Sequence, residues 1–240
     1  MAWENYGRKM FLEEGRNMDK IVNVLVEGEC ESSFVKQLNT HFKRFSLRLK
    51  PVLIETALGY KGGYVTYAKF KKQIRRLFND RGIKAATMMF DYYNFSMKDR
   101  IFSHISTTNR SCYDIVYDLE NTISNDIENR QFIPFLFLHE FETMLFVSPE
   151  KISSQFPGYE SDISSEIQLI KKKFNNLPET INDNTATSPS HRIGDIIKKH
   201  TKRNYDKIAH GIIALMDEDI GKIRSECPHF DSWIKKLEGL

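Results

Sequence analysis

The chain has 240 residues, 40% hydrophobic and 28% charged, with 35 Lys and Arg against 32 Asp and Glu for a net charge of +3. This excludes a disordered chain, fits one large or two small globular domains, and is too balanced to call for a nucleic-acid partner by itself. Cys30, Cys112 and Cys227 lack CxxC or Cys/His spacing, which excludes a disulfide framework and structural zinc.

Residues 1–18 are charged, without clear periodicity, and read as an N-terminal extension. They contain no apolar signal-peptide region, and no later apolar run is long enough for a membrane span, so a cytoplasmic protein with no membrane association is expected. Ile21 to Val26 is a dense aliphatic run that predicts a first strand. Gly28 permits a turn, and Phe34, Val35, Leu38 and Phe42 recur at helical spacing, predicting a helix from about Cys30 to Phe45. Pro51 to Thr56 reads as a second strand. Val65, Phe70, Ile74, Leu77 and Phe78 then predict an amphipathic helix whose other face carries Lys69, Lys71, Lys72, Arg75 and Arg76. Ala85 to Phe90 is a third strand, closed by Asp91.

Residues 92–111 read as a loop or lid, Cys112 to Ile127 as a helix, and Phe132 to Leu138 as a fourth strand. Strand and helix thus alternate with connections too long for hairpins, which predicts an α/β fold: a mostly parallel sheet of about four strands flanked by helices. After Pro149 the runs Ile163 to Phe174, Ile193 to Lys199, Ile208 to Met216 and Ile223 to Leu237 are helical, with Pro178 to Pro189 a loop between them. The expected organisation is an α/β domain over 19–148 and a helical subdomain over 149–240 packed on it.

Carboxylates recur where the predicted strands end: Glu27, Glu29 and Glu31 after the first, Asp91 after the third, Glu140 and Glu142 after the fourth. Ligands of such sheets bind in the crevice outside the carboxyl ends of the strands, where acids from separate strands can meet. Burial of Glu27 behind an apolar run calls for compensation, and a cation supplies it. Glu31 lies one turn onward and can share that crevice, while an electrostatic role at the helix N-terminus is the competing reading for it. Asp91 reads as a ligand in preference to a turn cap. In the segment His139-Glu140-Phe141-Glu142, a helix starting near His139 aligns His139 with Glu142, whereas a continuing strand aligns Glu140 with Glu142; the sequence leaves both open, and His139 ranks below the two glutamates. This oxygen-rich set suits Mg²⁺ or Mn²⁺ better than zinc and points to phosphate chemistry, with Glu27, Asp91 and Glu140 or Glu142 holding one or two ions. Lys61 beside Gly62-Gly63, and Arg192 after Ser188-Pro189-Ser190-His191, are the cations best placed by sequence to meet phosphate; Tyr93 and Asn94 offer a ring and an amide to a nucleic acid. Most of the Lys69 to Arg76 face reads as solvated helix surface.

Val26-Glu27-Gly28-Glu29-Cys30-Glu31 with Phe34 resembles the first motif of TOPRIM domains, and Asp91 sits where that family places its metal-binding aspartate. The wider pattern is similar to an uncharacterised bacterial family with a TOPRIM-like core, itself resembling the nuclease halves of ATPase-linked, OLD-type anti-phage systems. It is carried by Gly62-Gly63 with Tyr67, Phe90-Asp91-Tyr92-Tyr93, Leu138-His139-Glu140-Phe141-Glu142, Ile181-Asn182-Asp183, Ser188-Pro189 with Arg192-Ile193, and Cys227-Pro228-His229-Phe230-Asp231 with Trp233. The resemblance implies a metal-dependent endonuclease acting on DNA or RNA, a separate AAA- or ABC-type ATPase as partner, and a homodimer as a possible assembly. A non-catalytic regulatory subunit and a small-molecule phosphoryl-transfer enzyme are the rivals. TOPRIM domains usually carry Asp-x-Asp after the third strand, but here Tyr93 stands two beyond Asp91, so the second acid must come from Glu140 or Glu142, or the site holds one ion or none.

Overall fold

A computed structural model describes residues 20–57, 60–61, 66–92, 99–182, 187–216 and 219–240. Among them are strands β1 (Lys20–Val26), β2 (Leu47–Leu53), β3 (Glu55–Ala57), β4 (Tyr60–Lys61), β5 (Ile83–Asp91), β6 (Phe132–Ile133) and β7 (Leu136–Phe137). β1 is aliphatic and buried on both faces, the composition expected of a central strand covered by helices on either side. It pairs in parallel with β2 on one edge and β5 on the other, and β5 pairs in parallel with β6 and, further along, with β7. The order is β2-β1-β5-β6, so every strand of this sheet runs the same way and all end at one edge. Pro134, with no N–H to give a ladder, lies between β6 and β7, where the fourth strand of the sequence reading breaks in two.

Side chains alternate across the sheet. Val22, Val24, Val26 and Met89 pack with helix α1 (Glu29–Phe42) and the C-terminal helices, whereas Leu25, Met88 and Phe90 pack with α2 (Tyr67–Leu77) and α3 (Cys112–Ile127). The second strand begins earlier than its predicted Pro51, because Leu47 and Leu49 are the residues buried beneath α1. Pro51 is tolerated there since β2 is an edge strand. Glu55 and Ala57 instead join β4 in a separate two-stranded antiparallel ladder.

The last third is helical: α4 (Pro149–Ser153), α5 (Glu160–Lys173), α6 (Pro189–Thr201), α7 (Ile212–Met216), α8 (Ile220–Glu226) and α9 (Pro228–Glu238). The predicted run Ile223 to Leu237 is two helices, since Pro228 disfavours helical geometry at Cys227 and opens α9 itself. The predicted helix at Ile208 to Met216 starts as a π turn, Lys207–Gly211. These helices share one apolar cluster with the sheet: Phe230, Trp233, Ile193 and Ile223 are in it with Val24 and Phe34. No helix among the described residues is long and apolar enough to cross a membrane.

A buried carboxylate locks α9 in place. Glu179 accepts the backbone N–H groups of His229 and Phe230, both at 2.9 Å, and the Tyr113 hydroxyl at 3.1 Å. Two of the orphan donors of that helix N-terminus are thereby satisfied. Glu179→Ala is expected to remove about 2 to 4 kcal/mol of unfolding free energy, because it strands buried donors; urea denaturation measures it.

Candidate metal centre

The carboxyl edge of the sheet is where the acids collect. Gly28 forms the N-cap of α1 in an extended conformation, and a Cβ there would sit 3.1 Å from Glu31 Oε2. A residue without a side chain lets the Glu31 carboxylate fold back over the first turn, where the helix N-terminus favours negative charge. Asp91 ends β5; its Oδ1 accepts the Phe141 N–H at 2.9 Å, which ties it to the start of the 3₁₀ helix Phe141–Phe146. That helix carries Glu142 inward, where it is buried. Glu31, Asp91 and Glu142, from three separate segments, are all buried.

Their common neighbour is Lys207. Its Nζ lies 3.2 Å from Glu31 Oε1, 3.4 Å from Glu142 Oε2 and 3.9 Å from Asp91 Oδ2, and 5.5 Å from the centre of the Phe141 ring. Burial opposes the ammonium charge, but Asp91, Glu142 and Glu31 together outweigh it and hold the group above the ordinary lysine range. One cation does not balance three carboxylates. Burial above all, and then the neighbouring acids, push Asp91 well above the usual carboxylate range in spite of Lys207; Glu142 is raised for the same reasons. The Cys30 thiol beside them is pushed up to about 11, chiefly by burial.

Of the acids chosen from the sequence, Glu31, Asp91 and Glu142 therefore meet. Glu27 is half-buried just before α1 and contributes its charge to the field on Asp91 without closing on Lys207. Glu140 goes elsewhere: its Oε2 accepts the Ser190 N–H at 2.9 Å, at the N-terminus of α6. Neither expected alignment of this segment occurs, because the strand stops at Phe137 and Glu140 is the extended N-cap of the 3₁₀ helix. Arg192 is also engaged away from the acids. Its Nε donates to the Thr187 carbonyl at 2.7 Å, its guanidinium lies 5.3 Å from the centre of the Phe174 ring, and it lines a cleft of 570 Å³ between α5 and α6. Tyr93 and Asn94 lie outside the described residues, as does the side chain of Lys61. On α2, Lys71 pairs with Asp126 at 2.7 Å and Lys69 donates to the Thr56 carbonyl at 3.1 Å.

Lys207 was not a sequence candidate. Nothing in Asn204-Tyr205-Asp206-Lys207 marks it off from the other 34 basic residues, and only the tertiary fold carries this π turn over to the edge of the sheet.

His139 is buried, accepts from Asn182 Nδ2 at 3.2 Å through Nδ1, and is pushed down to about 4 by burial. The folded protein then resists a proton that the unfolded chain accepts near pH 6.5, so stability is lost as pH falls through that window. Between pH 7 and 4.5 this group alone is expected to cost about 2 to 3 kcal/mol. The check is urea denaturation at both values for wild type and His139→Gln; an equal loss in the two proteins would rule the histidine out.

The donor set fits a hard divalent cation: three carboxylates, no imidazole, no thiolate within the ring of oxygens. Among the described residues, no three His, Cys, Asp or Glu side chains stand as close as a metal cage requires, and the acids are instead spread around the lysine.

The fold and this acid set define an α/β protein with an oxygen-rich polar site at the carboxyl edge of a parallel sheet. The chain belongs to the DUF4276 family, a domain of unknown function, whose model matches residues 26–238. No curated protein and no solved structure matches it.

Proposed function

We propose that this chain is a metal-dependent endonuclease with a TOPRIM-like core, hydrolysing phosphodiester bonds of DNA or RNA in the cytoplasm as the effector of an ATPase-linked, anti-phage complex. The observation that carries the reading is the convergence of Glu31, Asp91 and Glu142 on one ammonium: their oxygens lie within 3.9 Å of Lys207 Nζ, and a single divalent ion in place of the ammonium would draw them inward to its shorter ligand distance of about 2.1 Å. Mg²⁺ or Mn²⁺ bound there supplies Lewis-acid stabilisation of the phosphoryl charge. Asp91 is held rigid by its bond to the Phe141 N–H and presents its other oxygen to the site. Glu31 and Glu142 complete the set, with the charge of Glu27 behind them. The site takes one ion in this reading, since Glu140 caps α6. The nucleic-acid substrate and the ATPase rest on the resemblance of the motifs.

A second reading is favoured by Lys207 itself: an acid set neutralised by an internal lysine also suits a non-catalytic subunit in which the charges merely fix the packing. Purified protein, alone and with a co-encoded ATPase, is incubated with DNA and RNA in Mg²⁺ or Mn²⁺. Cleavage that EDTA abolishes and Glu142→Gln lowers at least about tenfold supports the nuclease. Cleavage by neither preparation, or cleavage indifferent to Glu142→Gln, supports the second reading.

A further inference from the structure

The acid set is occupied by a side chain of the protein itself. Lys207 Nζ sits between Glu31, Asp91 and Glu142, at 3.2, 3.9 and 3.4 Å from their oxygens. Its side chain is nonetheless 34% exposed, so the lysine reaches solvent while the acids stay covered. The backbone that carries it is a π turn, Lys207–Gly211, a rare geometry that recurs at functional sites. Beside it the Tyr205 hydroxyl is buried with no hydrogen-bond partner among the described residues, and Gly211 packs so closely that an added Cβ would lie 2.6 Å from that hydroxyl. Ile213, on the following helix α7, is exposed to solvent. The segment is anchored at its far end by Ala214 and Leu215, buried in the core, and by Gln37, which donates to the Leu215 carbonyl; the π turn itself is held by Gln155, which donates to the His210 carbonyl at 2.9 Å, and by the lysine's own ion pairs.

We propose that Lys207 is a tethered competitor for the divalent ion: it fills the seat formed by Glu31, Asp91 and Glu142, and loading of the metal drives the ammonium and its π turn out of the site. This inference rests on the proposed metal centre and concerns how that centre is regulated. An ammonium and a divalent cation a few ångströms apart repel each other strongly away from bulk water, so the three carboxylates hold one or the other. The apparent metal affinity is then the intrinsic affinity reduced by the fraction of molecules in which the lysine has left. A partner that draws the π turn Lys207–Gly211 away from the sheet edge raises that fraction, and so switches the centre on. Free protein holds the metal weakly.

The test uses the full chain and Mn²⁺ alone. Isothermal titration is run on wild type, Lys207→Met, Lys207→Arg and Asp91→Asn, and amide exchange of peptides covering 205–216 is followed with and without Mn²⁺. The expected results are Asp91-dependent binding by wild type, binding at least about tenfold tighter by Lys207→Met but not by Lys207→Arg, and faster exchange of 205–216 in wild type when Mn²⁺ is added. Lys207→Met leaves three carboxylates without their cation, so its melting temperature is expected to fall in EDTA and to recover with Mn²⁺. Should this variant fail to fold, exchange in the wild type still decides. Asp91-dependent binding that Lys207→Met leaves unchanged or weakens, or slower exchange of 205–216 with Mn²⁺, overturns the competitor role while leaving the metal centre standing. Absence of Mn²⁺ binding by every variant overturns both.

Discussion

Replacing Asp91 with asparagine is expected to lower metal-dependent cleavage by about a hundredfold to a thousandfold with little change in stability. The substitution separates two jobs of one side chain. Oδ1 accepts the Phe141 N–H at 2.9 Å, and an amide oxygen performs that equally well, so the 3₁₀ helix and Glu142 keep their places. The other oxygen, facing Lys207 at 3.9 Å, becomes a neutral NH₂ that cannot ligate a hard cation. A loss of several kcal/mol of charge stabilisation corresponds to the stated factor. Asparagine also relieves part of the excess negative charge, since Asp91 is buried among Glu142, Glu31 and Glu27. Unfolding in urea is therefore expected to be unchanged or slightly harder. Full activity in Asp91→Asn would show that the acids serve packing alone.

Trp233→Ala is expected to remove about 3 to 5 kcal/mol of stability, a large share of what a domain of this size possesses. The indole is fully buried, stacked on Phe135 with ring centroids 4.8 Å apart, and its Nε1 donates to Thr87 Oγ1 at 2.9 Å in the middle of β5. Removing it leaves a large void between α9 and the sheet and takes away a partner of a buried hydroxyl. Trp233→Phe keeps the stack and loses the hydrogen bond, so an intermediate cost is expected. Urea midpoints for the two variants give the comparison. A cost below about 1 kcal/mol for alanine would mean that the final helix rests on the sheet without sharing its core.

Local pattern was enough wherever one residue's neighbours in sequence are also its neighbours in space. The helix predicted over Cys112 to Ile127 is α3 to the residue, because Ser111 caps it by accepting the Asp114 N–H and its aliphatic residues Ile115, Val116, Leu119, Ile123 and Ile127 are all buried. The first and third strands were legible as aliphatic runs, and their shared direction followed from the long connections between them. β2 was misplaced because Leu47 and Leu49 alternate with Arg48 and Lys50, and only burial under α1 shows that this half of the segment belongs to the sheet. The acids divide in the same way. Glu31, Asp91 and Glu142 could be chosen from their positions after strands, but the choice between Glu140 and Glu142 depended on where the fourth strand stops.

The amino-acid order alone determined the alternation of strands and helices, the edge at which they finish and the acids gathered there, since these follow from periodicity and from chain direction. Tertiary structure alone decided which carboxylates share a centre, that Glu140 caps α6, and that Lys207 lies among the others. The reason is distance along the chain: Glu31, Asp91, Glu142 and Lys207 have no common period, and only the packing of the C-terminal helices against the sheet brings their charges within a few ångströms.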